Sequence, residues 1–138
     1  MNEYRILVVD DEEDLCEILK FNLENEGYEV DTANSAEDAL KMDISTYDLL
    51  LLDVMMGEIS GFKMASMLKK EKKTAKIPII FITAKDTEND TVTGFNIGAD
   101  DYISKPFSLR EVAARVKAVL RRTRQTETER APNKLPIN

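Results

Sequence analysis

The chain has 138 residues, of which 43% are hydrophobic and 33% charged, and its formal net charge is −7. These values fit one soluble globular domain and exclude disordered and collagen-like chains. The chain has one cysteine and no histidine, which excludes an internal disulfide, His/Cys zinc sites, and Ser-His-Asp or Cys-His catalysis. Any chemistry must therefore use carboxylates, hydroxyls, lysine or backbone groups.

The pattern of apolar residues predicts strands and helices in strict alternation. Residues 4–10 form a short apolar run typical of a buried strand, and residues 13–26 carry apolar residues at helical spacing until Gly27 ends the helix. In chain order there follow a strand at 29–33, a helix capped by Ser35, a strand at 47–53, a helix at 60–73, a strand at 77–83, a helix at 87–97, a strand at 101–104 and a helix capped by Ser108. From about Arg124 the periodicity ends, which predicts a linker or frayed tail.

Five β–α units whose strands are apolar on both faces require a parallel sheet that is covered by helices on both sides. The charge along this α/β chain is uneven, because residues 1–104 carry 10 Lys/Arg and 23 Asp/Glu, whereas residues 105–130 carry 8 and 3. The acidic body disfavours nucleic acid. The basic last helix could be a DNA-contacting stripe, but no aromatic residues or second reading helix accompany it, and we interpret it as a solvated, dimer-forming helix.

The sequence also lacks signals for membranes or export. No run approaches the ~18 uninterrupted apolar residues that a membrane span requires. The N-terminus runs directly into acidic residues and lacks the layout of a cleavable signal peptide. We therefore expect a cytoplasmic protein that does not contact a membrane.

Acidic, hydroxyl and ammonium side chains follow four of the predicted strands. The first strand ends in Asp10 and Asp11, the third in Asp53, and the fourth in Thr83, and Lys105 follows the fifth. Ligands of open parallel sheets bind outside the carboxyl ends of the strands, so we expect these groups at one edge. Two carboxylates about 5 Å apart repel by roughly 3 kcal/mol at an effective dielectric constant near 20. A hard cation such as Mg²⁺ offsets this repulsion and lets a phosphoryl group approach a carboxylate.

Each of these residues also has a purely structural interpretation. Asp10 and Asp11 could cap a helix N-terminus, and Asp53 could be a turn residue. Thr83 could be an ordinary strand-end hydroxyl, and Lys105 a solvated lysine. The functional interpretation is favoured because all of them fall at corresponding ends of separate strands.

Four motifs in the sequence resemble a known family. They are VVDDE at 8–12, LLLDVMM at 50–56, ITAK at 82–85 and GADDYISKPF at 98–107. Together they resemble the receiver domain of two-component response regulators. The segment from GADDYISKPFS to VKAVLRR further resembles the OmpR/PhoB subfamily, in which a winged-helix DNA-binding domain follows the receiver.

The resemblance covers residues 3 to about 122 and implies a specific fold and domain organisation. The fold is a flavodoxin-like (CheY-like) (βα)5 three-layer sandwich, with a parallel five-stranded sheet of order 2-1-3-4-5. Residues 1–123 would form the receiver domain. Residues 124–138 would form a linker to an effector domain that is absent from this chain.

The resemblance also implies the chemistry of the site. Asp53 would accept a phosphoryl group from a sensor histidine kinase, and the protein would catalyse its own phosphorylation and slow dephosphorylation without being a turnover enzyme. The implied Mg²⁺ ligands are Asp11 directly, Asp10 mainly through water, Asp53, and the backbone carbonyl of Met55. The implied phosphoryl-binding groups are Thr83, the Ala84 N–H and Lys105, with Tyr102 as the switch aromatic and a cis peptide bond between Lys105 and Pro106.

The resemblance further implies that phosphorylation promotes a homodimer, which regulates transcription through the downstream DNA-binding domain. The dimer face would consist of the fourth helix, fifth strand and fifth helix, with the charged residues Asp100, Asp101, Glu111, Arg115 and Arg122. Two residues depart from the family pattern. Gly57 stands where proline is usual, so we expect a looser loop and weaker Mg²⁺ binding, and Thr91 stands where a basic residue often joins the dimer contact.

Two alternatives from other classes remain at this point. A haloacid-dehalogenase-type phosphohydrolase also uses an aspartyl nucleophile and Mg²⁺, but its D-x-D-x-T/V motif is absent here. A phosphorylation-independent interaction module of receiver fold would be indicated by the loss of an acidic residue, threonine or lysine of the site. All of these residues are present.

Overall fold

The computed structural model of the chain describes residues 4–84 and 88–130, and the side chains of 4–84 and 89–123. Within these ranges the strands are β1 (Arg5–Val9), β2 (Glu29–Ala33), β3 (Leu49–Leu52), β4 (Ile79–Thr83) and β5 (Asp101–Ser104). The helices are α1 (Glu13–Asn25), α2 (Ala36–Leu40), α3 (Gly61–Lys70), α4 (Glu88–Ile97) and α5 (Leu109–Arg130), and a 3-10 turn lies at Ile44–Thr46. The predicted alternation of strands and helices is confirmed.

The strands form one parallel sheet in the order β2-β1-β3-β4-β5. This is the predicted order 2-1-3-4-5. The connection from β1 leads to β2 on one side, whereas β3 lies on the other side of β1. The strand order therefore reverses between β1 and β3, and the carboxyl ends of these two strands border the crevice where such sheets bind ligands.

Helices cover both faces of the sheet. On one face, α2, α3 and α4 pack against alternate strand residues such as Leu50, Leu52 and Phe81. On the other face, α1 and α5 pack against Leu49 and Leu51. Every residue of β3 is thus buried, which explains its continuous leucine run. Among the described helices, none combines the length and apolar character that crossing a membrane requires.

The helix ends follow the predicted signals. The hydroxyls of Ser35 and Ser108 accept hydrogen bonds from the backbone N–H groups of Asp38 (3.0 Å) and Glu111 (2.9 Å). Such side-chain caps satisfy N–H groups that have no partner within the helix. Gly27, with a positive φ of 100°, follows the end of α1 as predicted.

The C-terminal helix is longer than the sequence pattern predicted. Its backbone continues to Arg130, seven residues past the predicted end of the receiver domain at residue 123. A formed helix extends at little cost through residues such as Gln, Glu and Arg, even where no apolar stripe continues. Residues 131–138, the remainder of the predicted tail, lie outside the described residues, and the role of 124–138 as a linker stays a prediction.

Candidate functional site

Two buried carboxylates meet at the carboxyl ends of the central strands. Val9 and Leu52 are paired in the β1–β3 register, and the next residues are Asp10 and Asp53. The Asp53 N–H donates to the Val9 carbonyl at 2.9 Å, which continues the strand pairing to the edge. Asp10 is 0% exposed and Asp53 is 3% exposed. Neither carboxylate is the solvated turn or cap residue of the structural interpretation.

Lys105 connects these carboxylates from the other side of the crevice. Its Nζ lies 3.1 Å from Asp10 Oδ2 and 3.4 Å from Asp53 Oδ2. It also lies 3.3 Å from Glu12 Oε2. The predicted cis peptide bond between Lys105 and Pro106 is confirmed, and the Lys105 N–H donates to the Thr83 carbonyl at 2.9 Å. One ammonium group is thus shared among three carboxylates, which leaves the site with excess negative charge.

Burial and the neighbouring charges together shift the pKa values of Asp10 and Lys105. The pKa of Asp10 is raised from 3.8 to about 6, first because burial disfavours its charged form and also because the Asp53 charge repels it. Burial opposes the charged form of Lys105 as well. Its hydrogen bond and attraction to Asp10, with the charges of Asp53 and Glu12, outweigh that effect and raise the pKa of Lys105.

The acidic groups after β1 fit a hard cation. Asp10, Asp11 and Glu12 each offer a carboxylate oxygen, and the three oxygens lie within 4.8 Å of one another. Asp10 is buried, whereas Asp11 and Glu12 are exposed, so a cation bound here would be accessible to water on one side. Oxygen-only ligands with net negative charge and access to water suit Mg²⁺, which retains several water ligands. The residues therefore fit the implied metal.

The position of Asp10 is fixed by residues that the sequence analysis did not identify. The Glu12 N–H donates to Asp10 Oδ1 at 2.9 Å. The Asp10 backbone carbonyl accepts from the Cys16 thiol at 3.3 Å and from the Asn34 side-chain amide at 3.2 Å. Glu12 stands in the VVDDE motif, but only the fold shows that its carboxylate turns toward Lys105. For Asn34 no sequence signal was available.

The loop that follows β3 contacts the Asp53 carboxylate through a backbone N–H group. The Met55 N–H donates to Asp53 Oδ1 at 3.2 Å, and the Met55 side chain is 59% exposed. The metal-binding role of the Met55 carbonyl stays a prediction. Gly57 adopts a φ of +30°, which proline cannot adopt because its ring fixes φ near −65°. The loop therefore follows a path that the usual family residue would not allow.

We expect Gly57→Ala to lower the free energy of unfolding by about 1 kcal/mol, because L-residues rarely adopt a positive φ. No atom lies within 4 Å of an added Cβ at this position, so the cost should be conformational and not steric. Urea unfolding of both proteins measures the difference. Gly57→Asn serves as a control, since asparagine tolerates this conformation, and an equal loss in both variants would contradict the backbone explanation.

A second glycine lets α3 approach the Asp53 backbone. A Cβ on Gly61 would overlap the Asp53 carbonyl oxygen, so no other residue fits here without a shift of the site. The Gly61 N–H donates to the Val54 carbonyl at 2.9 Å. From the sequence this residue could be placed in a helix but given no role, because nothing local distinguishes a glycine that is needed for close packing.

Three more predicted residues lie at or near the same edge. Thr83 ends β4 beside β3 and is 0% exposed, whereas Ala84 is exposed. Lys85, the last residue of the ITAK motif, lies outside the described residues. Tyr102 pairs with Phe81 in the β4–β5 register, two residues before the Thr83 and Ser104 pair. Tyr102 and Thr83 therefore project from the same face of the sheet.

The charged residues of the predicted dimer face are partnered within the chain. Arg115 Nη1 lies 3.1 and 3.0 Å from the two carboxylate oxygens of Asp101, and its Nε donates to Glu111 at 3.1 Å. The hydrogen bond from Arg115 to Asp101 raises the pKa of the guanidinium. Arg122 donates to the Asp100 carbonyl at 3.3 Å. The five predicted residues thus make three contacts with one another, Arg115 with Asp101 and with Glu111, and Arg122 with Asp100. Their role in a dimer stays a prediction.

The chain is similar to known proteins over most of its length. The model of the family described as response regulator receiver domain matches residues 6–117. The chain is 50% identical over 120 residues to the alkaline phosphatase synthesis transcriptional regulatory protein PhoP of Bacillus subtilis, across 86% of this chain and 49% of that protein. It is 46% identical over 127 residues to the transcriptional regulatory protein SrrA of Staphylococcus aureus, across 91% and 52%.

The fold is similar to solved structures as well. One is a response regulator receiver domain protein (CheY-like) from Methanospirillum hungatei JF-1, with a TM-score of 0.83 and 29% identity. That alignment covers 91% of this chain and 99% of the other. By contrast, the chain spans about half the length of the curated relatives it matches.

Proposed function

The chain belongs to the response regulator receiver domains of two-component systems, as its four motifs predicted, and from this membership we propose that it is a switch controlled by phosphorylation of Asp53. The observation that carries the proposal is the pair of buried carboxylates, Asp10 and Asp53, that share the ammonium of Lys105. Buried like charges destabilise a fold, so their presence at the strand ends favours a chemical role over a structural one.

Among the acids of the site, Asp53 fits the phosphoacceptor best. Asp10, Asp11 and Glu12 are consecutive, and their oxygens lie close enough to share one cation. Asp53 approaches from a different strand, and its oxygens contact the Met55 N–H and Lys105. A metal held by the acidic group after β1 and by one oxygen of Asp53 would leave the other Asp53 oxygen facing an incoming phosphoryl group.

The transfer step requires little covalent chemistry from the protein. A carboxylate oxygen of Asp53 attacks the phosphorus of a phosphohistidine on the partner kinase. The bond from phosphorus to the histidine nitrogen breaks, and its electron pair stays on that nitrogen. Mg²⁺ held by Asp10, Asp11, Asp53 and the Met55 carbonyl would offset the negative charge of the phosphoryl oxygens. Lys105 supplies a second positive charge at the same place.

Phosphorylation then alters the neighbouring face of the domain, which consists of α4, β5 and α5. Thr83, the Ala84 N–H and Lys105 bind the new oxygens, and Tyr102 moves toward the space near Thr83. This change biases the face of α4, β5 and α5 toward a two-fold homodimer. On this face Arg115 already pairs with Asp101 and Glu111 of its own chain. Exposed ion pairs contribute only about 0.2–1 kcal/mol each. Exchange of these pairs between subunits would set the register of the dimer more than its strength.

The partners follow from the family. The kinase would be a sensor histidine kinase, and the domain would act in the cytoplasm as a stoichiometric switch and not as a turnover enzyme. Both curated relatives are named as transcriptional regulatory proteins, and the match to this chain covers about half of their length. We therefore propose that DNA is reached only through a further domain, and that phosphorylation of Asp53 regulates transcription through it.

A small acyl phosphate tests the proposal without the kinase. With Mg²⁺, we expect intact-mass spectrometry to show the addition of one phosphoryl group, and we expect none with a chelator present. Asp53→Asn is the matched control, since it preserves size and removes the nucleophile. Absence of the adduct would contradict the proposal. Release of inorganic phosphate in many turnovers from a generic phosphate ester would favour the phosphohydrolase instead.

A further inference from the structure

Gly94 brings the backbone of α4 into direct contact with two aromatic rings. A Cβ added at this residue would lie 3.1 Å from Cδ2 of Phe81 and 3.1 and 3.2 Å from Cδ2 and Cε2 of Tyr102. Carbon atoms prefer separations of about 3.5–4.0 Å. The space between the helix and the rings therefore accommodates a glycine and nothing larger without a shift.

The position of Gly94 is costly for the helix. It is the seventh of the ten residues of α4, three before the last, and glycine within a helix is destabilising relative to alanine. It has no positive φ and occupies no turn. The close approach of the two rings is the feature of its surroundings that requires the absence of a side chain.

The two rings differ in their freedom to move. Phe81 is 0% exposed, and Phe62 of α3 packs against it edge-on, with ring centroids 5.0 Å apart at 87°. Tyr102 is partly exposed, and its ring centroid lies 6.0 Å from that of Phe81. Phe81 is thus held in place by its packing, whereas the Tyr102 ring is the neighbour of Gly94 that can change position.

We infer that Gly94 is a positioning residue that couples the Tyr102 ring to α4. This inference rests on the proposed function, in which Tyr102 moves when Asp53 is phosphorylated. Since no side chain separates the ring from the helix backbone, the helix can pack on β5 only where the ring permits. A movement of Tyr102 therefore changes the position in which α4 packs on β5. It thereby also changes the face that α4 shares with β5 and α5.

Gly94→Ala tests this coupling. The added methyl group requires the Tyr102 ring or α4 to shift by a few tenths of an ångström. We expect the dimer of the phosphorylated protein to weaken about tenfold. Sedimentation with Mg²⁺ and an acyl phosphate measures the dissociation constant. Thr93→Ala, at an exposed position of the same helix, raises helix propensity without touching a ring and should change the dimer less than about twofold.

A double-mutant cycle separates coupling from a general effect on the helix. In the Tyr102→Val background only the contact with Phe81 remains, so Gly94→Ala should weaken the dimer much less than it does beside the Tyr102 ring. An equal loss in both backgrounds, or a Gly94→Ala protein that dimerises like wild type, would overturn the inference. The same cycle in urea unfolding of the unphosphorylated protein tests the contact itself, and additive effects there would also overturn it. Failure of wild type to take up a phosphoryl group would instead refute the proposed function.

Discussion

Asp10→Asn is expected to raise the free energy of unfolding by about 2 kcal/mol at pH 7 in the presence of a chelator. Asp10 is fully buried, and burial with the nearby Asp53 charge raises its pKa from 3.8 to about 6. A shift of about two units corresponds to about 3 kcal/mol of unfavourable interaction in the charged form. Asparagine can still accept from the Glu12 N–H but loses the charged contact with Lys105, so the net gain is smaller.

The same shift predicts a pH dependence. A carboxyl group whose pKa is higher in the folded state than in the unfolded state contributes stability that is complete below about pH 4 and is lost as pH rises through about 6. The contribution of Asp10 to wild-type stability should therefore fall between pH 4 and pH 7. Asp10→Asn should remove this fall, and urea unfolding across the pH range measures it.

Exposed Asp43, which accepts from the Ser45 hydroxyl, provides the matched control. Asp43→Asn keeps an oxygen that can accept this hydrogen bond. It should change neither the free energy of unfolding nor the dependence of that free energy on pH. Excess Mg²⁺ should stabilise wild type by about 2.7 kcal/mol at 100 times its dissociation constant, and Asp10→Asn should lose part of this gain. A destabilised Asp10→Asn protein in chelator would show that the acid has a structural role.

Lys105→Met is expected to have the opposite effect, a loss of about 3 kcal/mol in chelator at pH 7. The Lys105 ammonium contacts two buried carboxylates, at 3.1 Å from Asp10 and 3.4 Å from Asp53. Methionine fills the space of the side-chain stem but leaves these charges without a cation. Protonation of Asp10 limits the loss, because its pKa is already near 6.

Urea unfolding measures this loss, with Lys41→Met as the control. The Lys41 side chain is 80% exposed and lies 4.0 Å from Asp38, so its removal should cost less than about 0.5 kcal/mol. In the double variant with Asp10→Asn, part of the loss should disappear, since one of the two buried carboxylates that lack a cation has been removed. Equal losses in both backgrounds would mean that Lys105 stabilises the fold through packing and not through charge.

The fold and the centre of the site could be predicted from the sequence because both depend on repeated local patterns. Strands buried on both faces are apolar throughout, and parallel strands bring their carboxyl ends to one edge. Asp10, Asp53, Thr83 and Lys105 could thus be assigned to the same edge from their places in the chain. The length of α5 was missed because helix propagation needs no apolar stripe.

Other features depend on approaches between distant segments and leave no local signal. Gly61 and Gly94 are needed because a backbone or a ring lies against them, and the sequence shows only that a glycine occurs within a helix. The turn of Glu12 toward Lys105 has the same origin, since 93 residues separate them. Likewise, the sequence identified the charges around Arg115 but could not show that Asp101 and Glu111 of the same chain already bind it.

We propose that Asp53 itself carries the phosphoryl group, and chemical trapping tests this most directly. After treatment with an acyl phosphate and Mg²⁺, borohydride reduces an aspartyl phosphate to homoserine, which peptide mass spectrometry locates in the chain. We predict homoserine at position 53 alone, and none when a chelator replaces Mg²⁺. Homoserine at position 10 or 11, or a phosphoryl adduct that leaves Asp53 unreduced, would contradict the assignment.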